Sequence, residues 1–173
     1  LAWLARSSAP AARRALGARP LLVVSHPDDE AMFFAPLLTA CREARLRVGV
    51  LCLSTGDALG RGEERKAELL ESCASLGIAP EDVTILDDEA LRDGMQERWL
   101  AAAVEAAARD ATRRRRATSV VTFDRGGASG HPNHKATWRG VVELARPAAR
   151  RGDPPPLSVW ALRTLRPHRR LAG

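Results

Sequence analysis

The sequence predicts an α/β fold built on a mainly parallel sheet of about five strands flanked by helices. Three observations carry that expectation. Short apolar runs recur at residues 20–25, 47–53, 83–86, 118–123 and 157–165, each bounded by polar or turn-forming residues in the way buried strands are. Segments of helical periodicity lie between them, and strands alternating with helices imply βαβ units and a parallel sheet. The two densest groups of histidine and carboxylate each follow directly on a strand, and in such sheets ligands gather at the carboxyl ends of the strands.

Residues 1–19 are rich in Ala, Arg and Ser with weak periodicity and are expected to be a linker into a domain of residues 20–166. The first strand runs into His26-Pro27-Asp28-Asp29-Glu30. A helical pattern follows over 28–44, with Met32, Phe33, Leu37 and Leu38 available for one face. Asp28 and Asp29 suit the positive end of its dipole, and Pro36 should kink or split it. The second strand ends in the turn residues Ser54-Thr55-Gly56-Asp57. Over 63–76, Ala67, Leu70, Cys73, Ala74 and Leu76 share a stripe and Gly77 supplies a stop. Residues 87–93 form an acidic loop closed by Gly94, and the alanine-rich stretch 97–110 favours helix. A glycine-rich loop at 124–130 precedes His131-Pro132-Asn133-His134, which opens a helix reaching about residue 145. A proline-rich loop at 151–156 leads to the last strand, and residues 167–173 make a basic tail.

The 173 residues suffice for one domain with a substantial core. The net charge of +6 comes mainly from arginine, including the run at 113–116. Such charge attracts nucleic acid or an anionic membrane surface, or else belongs to a solvated face or loop. No nucleic-acid-reading motif accompanies it and tyrosine is absent, so no nucleic-acid partner is expected. Cys41, Cys52 and Cys73 are odd in number and lack metal or redox spacing; they read as buried, reduced thiols. No run approaches the ~20 apolar residues of a transmembrane helix. Leu1-Ala2-Trp3-Leu4 is either a disordered tail or the end of a membrane segment.

A catalytic zinc ion typically has three protein ligands and an open position for water. His26 and Asp29 sit three apart, so on a helical turn they can face one point. One of His131 or His134 supplies the third ligand. The same donors hold ferrous iron. Such an ion makes a water acidic and polarises a carbonyl. Asp28, not needed as a ligand, is placed to take the proton, and the leftover histidine to stabilise an oxyanion or protonate a leaving amine. The plainer alternative is capping and loop hydrogen bonds. His168 has no carboxylate near it and reads as surface.

At these residues the chain resembles the PIG-L, or LmbE-like, family of metal-dependent de-N-acetylases, over roughly residues 20–165. The resemblance implies a Rossmann-like LmbE sheet. It also implies zinc (Zn2+) on His26, Asp29 and His134, Asp28 as general base, and His131 as the oxyanion-stabilising or acid group. Arg65-Lys66-Ala67-Glu68 matches an Arg-x-x-Glu element, in which Arg65 would contact sugar or phosphate and Glu68 would fix it. Asp93 matches an acidic position that binds sugar hydroxyls. Residues 31–36, 69–73 and 121–124 are similar to the eukaryotic branch. That branch deacetylates N-acetylglucosaminyl-phosphatidylinositol, the second step of GPI-anchor synthesis, at the cytoplasmic face of the endoplasmic reticulum membrane. The expected partners are therefore this glycolipid and a membrane surface, and residues 1–4 are expected to be the remnant of an anchor. Bacterial members often carry Asp where this chain has Asn133; Asn orients a neighbouring ring such as His131 without adding charge. Two other readings stand beside this one: a deacetylase of a small soluble amino-sugar conjugate, and a non-catalytic basic scaffold for membrane or nucleic acid.

Overall fold

Among the described residues, five strands form one sheet in the order β3–β2–β1–β4–β5, with every neighbouring pair parallel. They are β1 (Pro20–Val24), β2 (Gly49–Cys52), β3 (Val83–Ile85), β4 (Ser119–Phe123) and β5 (Ser158–Leu162). The computed structural model of the chain describes residues 9–146 and 157–164. Successive side chains of a strand point to opposite faces, and the strand sequences divide accordingly. Leu22, Val24, Val50, Cys52, Val121 and Phe123 enter one core, and Leu21, Val23, Leu51, Leu53 and Val120 enter the other. Near-continuous apolar runs are what a sheet covered on both faces demands.

The first core is closed by α1 (Ala9–Leu16), α3 (Ala35–Glu43) and α4 (Gly62–Ser75), the second by α5 (Ala101–Arg115) and α6 (Pro132–Val141). A single turn, α2 (Asp29–Met32), joins β1 to α3. Pro36 splits the helical pattern of 28–44 as expected: it sits in the first turn of α3, where its missing N–H costs nothing. Helices α5 and α6 approach closely at Gly140, where a Cβ would lie 2.5 Å from Cβ of Val104.

The arginine-rich segments depart from expectation. Residues 9–16 form a helix, with Ala12 and Leu16 buried in the core, and the Leu16 carbonyl accepts the hydroxyls of Thr118 and Ser119. The linker reading therefore fails there, because a helix that buries so few apolar residues carries a faint periodicity. The run at 113–116 is not a solvated loop either. Arg113, Arg114 and Arg115 form the last turn of α5, where cations suit the negative end of the dipole. Arg115 reaches the buried Asp82, which Arg47 also holds at 2.9 Å. The helix starts four residues later than the alanine-rich stretch, at Ala101 against the expected 97. The acidic loop contains a 3-10 turn, Glu89–Leu91, and α6 passes into another, Val142–Ala145. The readings at residues 1–4, 151–156 and 167–173, His168 included, lie outside the described residues.

The three cysteines are free and buried. Burial pushes the Cys41 thiol up to about 11 and Cys73 to about 12, which keeps them protonated and unreactive at neutral pH. Among the described residues no helix is long and apolar enough to cross a membrane.

Burial pushes the Asp82 carboxyl up, but Arg47 and Arg115 outweigh it and hold it below the ordinary value. A carboxyl depressed in the folded state adds stability above its unfolded pKa of about 3.9, and that stability is lost as pH falls through the lower folded value. Asp82→Asn should therefore lower the melting temperature at neutral pH. The gap to wild type should close as melts are repeated below pH ~4.

Candidate metal centre

Strands β1 and β4 lie side by side where the strand order reverses, the position at which an open α/β sheet leaves a crevice at its carboxyl edge. The loop after β1 carries His26 and Asp28 and leads to Asp29, the first residue of α2; the loop after β4 leads to His131, which caps α6, and to His134 in its first turn. The sheet thus joins groups 108 residues apart in sequence.

Three buried donors converge. Nε2 of His134 lies 3.1 Å from Oδ1 of Asp29 and 3.3 Å from Nδ1 of His26, and that Nδ1 lies 3.8 Å from Oδ2 of Asp29. Ligand atoms held 2.0–2.2 Å from one tetrahedral ion are separated by roughly 3.3–3.6 Å, so the two spacings at Nε2 of His134 are close to those of ligands sharing an ion. Each donor is also held from behind, which fixes the face it presents. Nδ1 of His134 donates to the Gly127 carbonyl at 3.0 Å, leaving the Nε2 lone pair for the centre. Nε2 of His26 donates to Oδ1 of Asp93 at 3.0 Å, leaving Nδ1. Oδ2 of Asp29 accepts the backbone N–H groups of Ser25 and His26 at 3.0 and 2.9 Å, leaving Oδ1. These tautomers are assigned from the hydrogen bonds.

His131 joins the same cluster, offering a nitrogen within 4.8 Å of those of His26 and His134. Its Nδ1 accepts the Asn133 backbone N–H at 3.2 Å, so in the neutral ring Nε2 carries the proton and acts as donor. Burial, followed by the nearby His26 and His134, lowers its pKa against the pull of Asp93 and Asp29.

Asp28 has a left-handed backbone, φ 105° and ψ −27°, a strain of about 1–3 kcal/mol for a residue with a Cβ. Its half-exposed carboxylate accepts Nη2 of Arg65 at 2.7 Å. Burial and the Asp29 charge raise its pKa against the opposing effects of Arg65, His26 and His134, the direction that suits a general base. Arg65 also donates to the carbonyls of Pro27 and Gly56 and lies 4.0 Å from Asp93. No ion pair joins Arg65 to Glu68 among the described residues, contrary to expectation. From the first turn of α4 the guanidinium instead reaches across to the loop after β1, where several acceptors meet.

Asp93 has a role beyond the sugar contact that the resemblance implies: it holds His26 from behind. Oδ1 is engaged by His26, with the side chain only 10% exposed, and the His26 hydrogen bond is the main cause of its lowered pKa. Asn133 does not orient His131 through its side chain. Its amide lies 3.2 Å from Nε2 of His26, because the second position of α6 faces the sheet.

Other contributors were not visible in the sequence. Phe123 stacks on His134 with centroids 4.1 Å apart and planes 3° from parallel, and Phe33 meets His134 edge-on at 5.7 Å. Trp99 donates to the Arg92 carbonyl at 2.8 Å and so pins the loop bearing Asp93. The glycine pair in the loop after β4 was the one available signal: Gly127 has φ 65°, and a Cβ there would lie 3.0 Å from that of His134. Beside Asp93 opens a cavity of about 440 Å³ lined by Thr55, Asp57, Asp87, Arg92 and Glu97 among others. Its walls are rich in acceptors for hydroxyl groups.

His26→Ala, Asp29→Ala and His134→Ala should each abolish stoichiometric metal. Asp93→Ala, which only frees the back of His26, should weaken binding about 10–100-fold. Metal analysis with chelator competition checks both expectations; metal retained in His134→Ala would remove it from the ligand set.

The family profile described as PIG-L, GlcNAc-PI de-N-acetylase, matches residues 21–145. The N-acetylglucosaminyl-phosphatidylinositol de-N-acetylase of Bos taurus is 43% identical over 128 residues, covering 74% of this chain and 51% of that protein. A probable enzyme of the same name from Schizosaccharomyces pombe is 38% identical over 127 residues, covering 73% and 51%. The chain spans about half the length of these curated relatives. The N,N'-diacetylchitobiose deacetylase of Pyrococcus horikoshii superposes with a TM-score of 0.63 over 81% of this chain and 53% of that one, at 19% identity, which shows a shared fold. The match from β1 to the end of α6 takes in both histidine loops and the strands that join them, and the chain belongs to the PIG-L family of de-N-acetylases.

Proposed function

We propose that this domain hydrolyses the N-acetyl group of N-acetylglucosaminyl-phosphatidylinositol, the second step of GPI-anchor synthesis, with zinc held by His26, Asp29 and His134. The observation that carries the reading is the convergence of those three donors beside the half-exposed Asp28 carboxylate. The names of the relatives support the substrate. A bound divalent ion supplies Lewis acidity toward the acetyl carbonyl, and ferrous iron suits the same donors.

The chain's own residues do the rest. Asp28 accepts the proton of the attacking water. The Nε2–H of His131 donates to the carbonyl oxygen as charge develops there, and the proton that Asp28 takes from the water goes on to the leaving amine. Arg65 steadies Asp28 and offers its guanidinium to the substrate phosphate. Asp93 holds His26 and borders the cavity in which sugar hydroxyls find acceptors. A non-catalytic scaffold requires none of this convergence.

A substrate drawn from a bilayer is supported by the surface around the site. Met32, Leu59, Met95 and Leu100 are exposed large apolar side chains. All four lie on segments that follow β1, β2 or β3 at the carboxyl edge of the sheet. This suits the expected place at the cytoplasmic face of the endoplasmic reticulum membrane.

The whole protein loaded with zinc should release acetate from the glycolipid, and Asp28→Asn should lower kcat by about 10²–10⁴ with metal retained. A zinc-loaded wild type that leaves the lipid acetylated overturns the substrate assignment. Replacing Leu59 and Met95 by Ser should slow hydrolysis in vesicles several-fold without changing the rate on the water-soluble headgroup. Equal losses on both substrates remove the membrane surface from the reading. Preference of the wild type for the soluble compound favours the soluble amino-sugar conjugate instead.

A further inference from the structure

We propose that Glu30 is a positioning residue that acts through Asp28: its carboxylate clamps the Asp28 backbone N–H and holds the left-handed turn that aims the Asp28 carboxylate. The inference rests on Asp28 being the base. Around the turn, the Asp29 N–H bonds to the His26 carbonyl, and the N–H groups of Ala31 and Met32 to the Asp28 carbonyl at 3.1 and 2.9 Å. The Asp28 N–H instead donates to Oε2 of Glu30, two residues ahead, at 3.0 Å. A residue with a Cβ keeps a φ of 105° only where its surroundings over-determine it. Three restraints do so here: the α2 hydrogen bonds on its carbonyl, Arg65 on its carboxylate, and Glu30 on its N–H.

The cost of Glu30 argues that it is there for that bond. It is as deeply buried as Asp29, at 1% exposure, and Oε1 has no hydrogen-bond partner. An apolar side chain of similar size would fill the space without that penalty, so packing alone does not call for a carboxylate. No hydrogen bond joins Glu30 to a histidine among the described residues, which leaves Asp28 as the group through which it acts. Asp29 and Glu30 thus hold the turn from its two ends, one tying Ser25 and His26, the other tying Asp28.

The test compares Glu30→Gln, which keeps an acceptor oxygen, with Glu30→Leu, which removes it, in the whole metal-loaded protein. Glu30→Leu should lower kcat roughly tenfold or more with KM and bound metal unchanged, and Glu30→Gln should restore most of the rate. In an Asp28→Asn background Glu30→Leu should cost nothing further, since two residues acting as a unit do not add. Two readouts need no turnover. Amide exchange at Asp28 should accelerate in Glu30→Leu and stay slow in Glu30→Gln, and crystal structures should show φ of Asp28 leaving the left-handed region only in the former. Should Glu30→Leu not fold, Glu30→Met carries the same comparison. The proposal is overturned by wild-type kcat in Glu30→Leu, by an undiminished loss on top of Asp28→Asn, by loss of metal, or by an unmoved Asp28. If the wild type leaves the glycolipid untouched, the substrate assignment fails while exchange and φ still decide the role of Glu30.

Discussion

The carboxylate of Asp29 divides its oxygens between the backbone and the centre, and the site depends on that division. Oδ2 gathers the N–H groups of Ser25 and His26 where β1 ends and can no longer pair them in the sheet. Oδ1 is thereby turned toward His134. One side chain finishes the strand, sets the angle at which His26 leaves it, and supplies a donor. Asp28, the residue before it, takes the left-handed turn and turns its carboxylate to Arg65. The strained turn is anchored at the end of β1, a strand paired on both sides and buried along its length.

Electrostatics are sorted along the strands. At the carboxyl edge three histidines share a space with Asp28, Asp29 and Asp93, and Arg65 bridges two of those acids from outside. At the opposite edge Arg47 and Arg115 close on the buried Asp82. Part of the excess arginine charge therefore staples helix α5 to the sheet. It is a structural use of charge that composition alone could not distinguish from a surface that attracts anions.

What could be read from the sequence follows from how local each signal is. The strand before His26, the split at Pro36 and the histidine pair opening α6 depend on residues within a turn or two of one another, and they emerge as expected. The parallel sheet followed from the alternation of elements. The contact of His26 with Asp93, the stacking of Phe123 on His134 and the reach of Arg115 to Asp82 depend on strand order and register, which no short window contains. Helix α1 was missed for a related reason: its reward lies in distant partners, Thr118 and Ser119, rather than in its own pattern. The candidate ligand residues are legible because each half is a compact motif, whereas the groups behind them come from elsewhere in the chain.

The pairing of β1 with β4 has a thermodynamic consequence. His26 and Asp29 follow the one strand and His134 the other, so a chain whose sheet has not closed has only part of the site. An ion held by the proposed ligands would bind only the finished fold, and the free energy it released would add to the stability of the whole domain by mass action. On the proposed ligand set the centre would act as a clasp: its affinity for an ion and the resistance of the domain to unfolding would be two readings of one equilibrium.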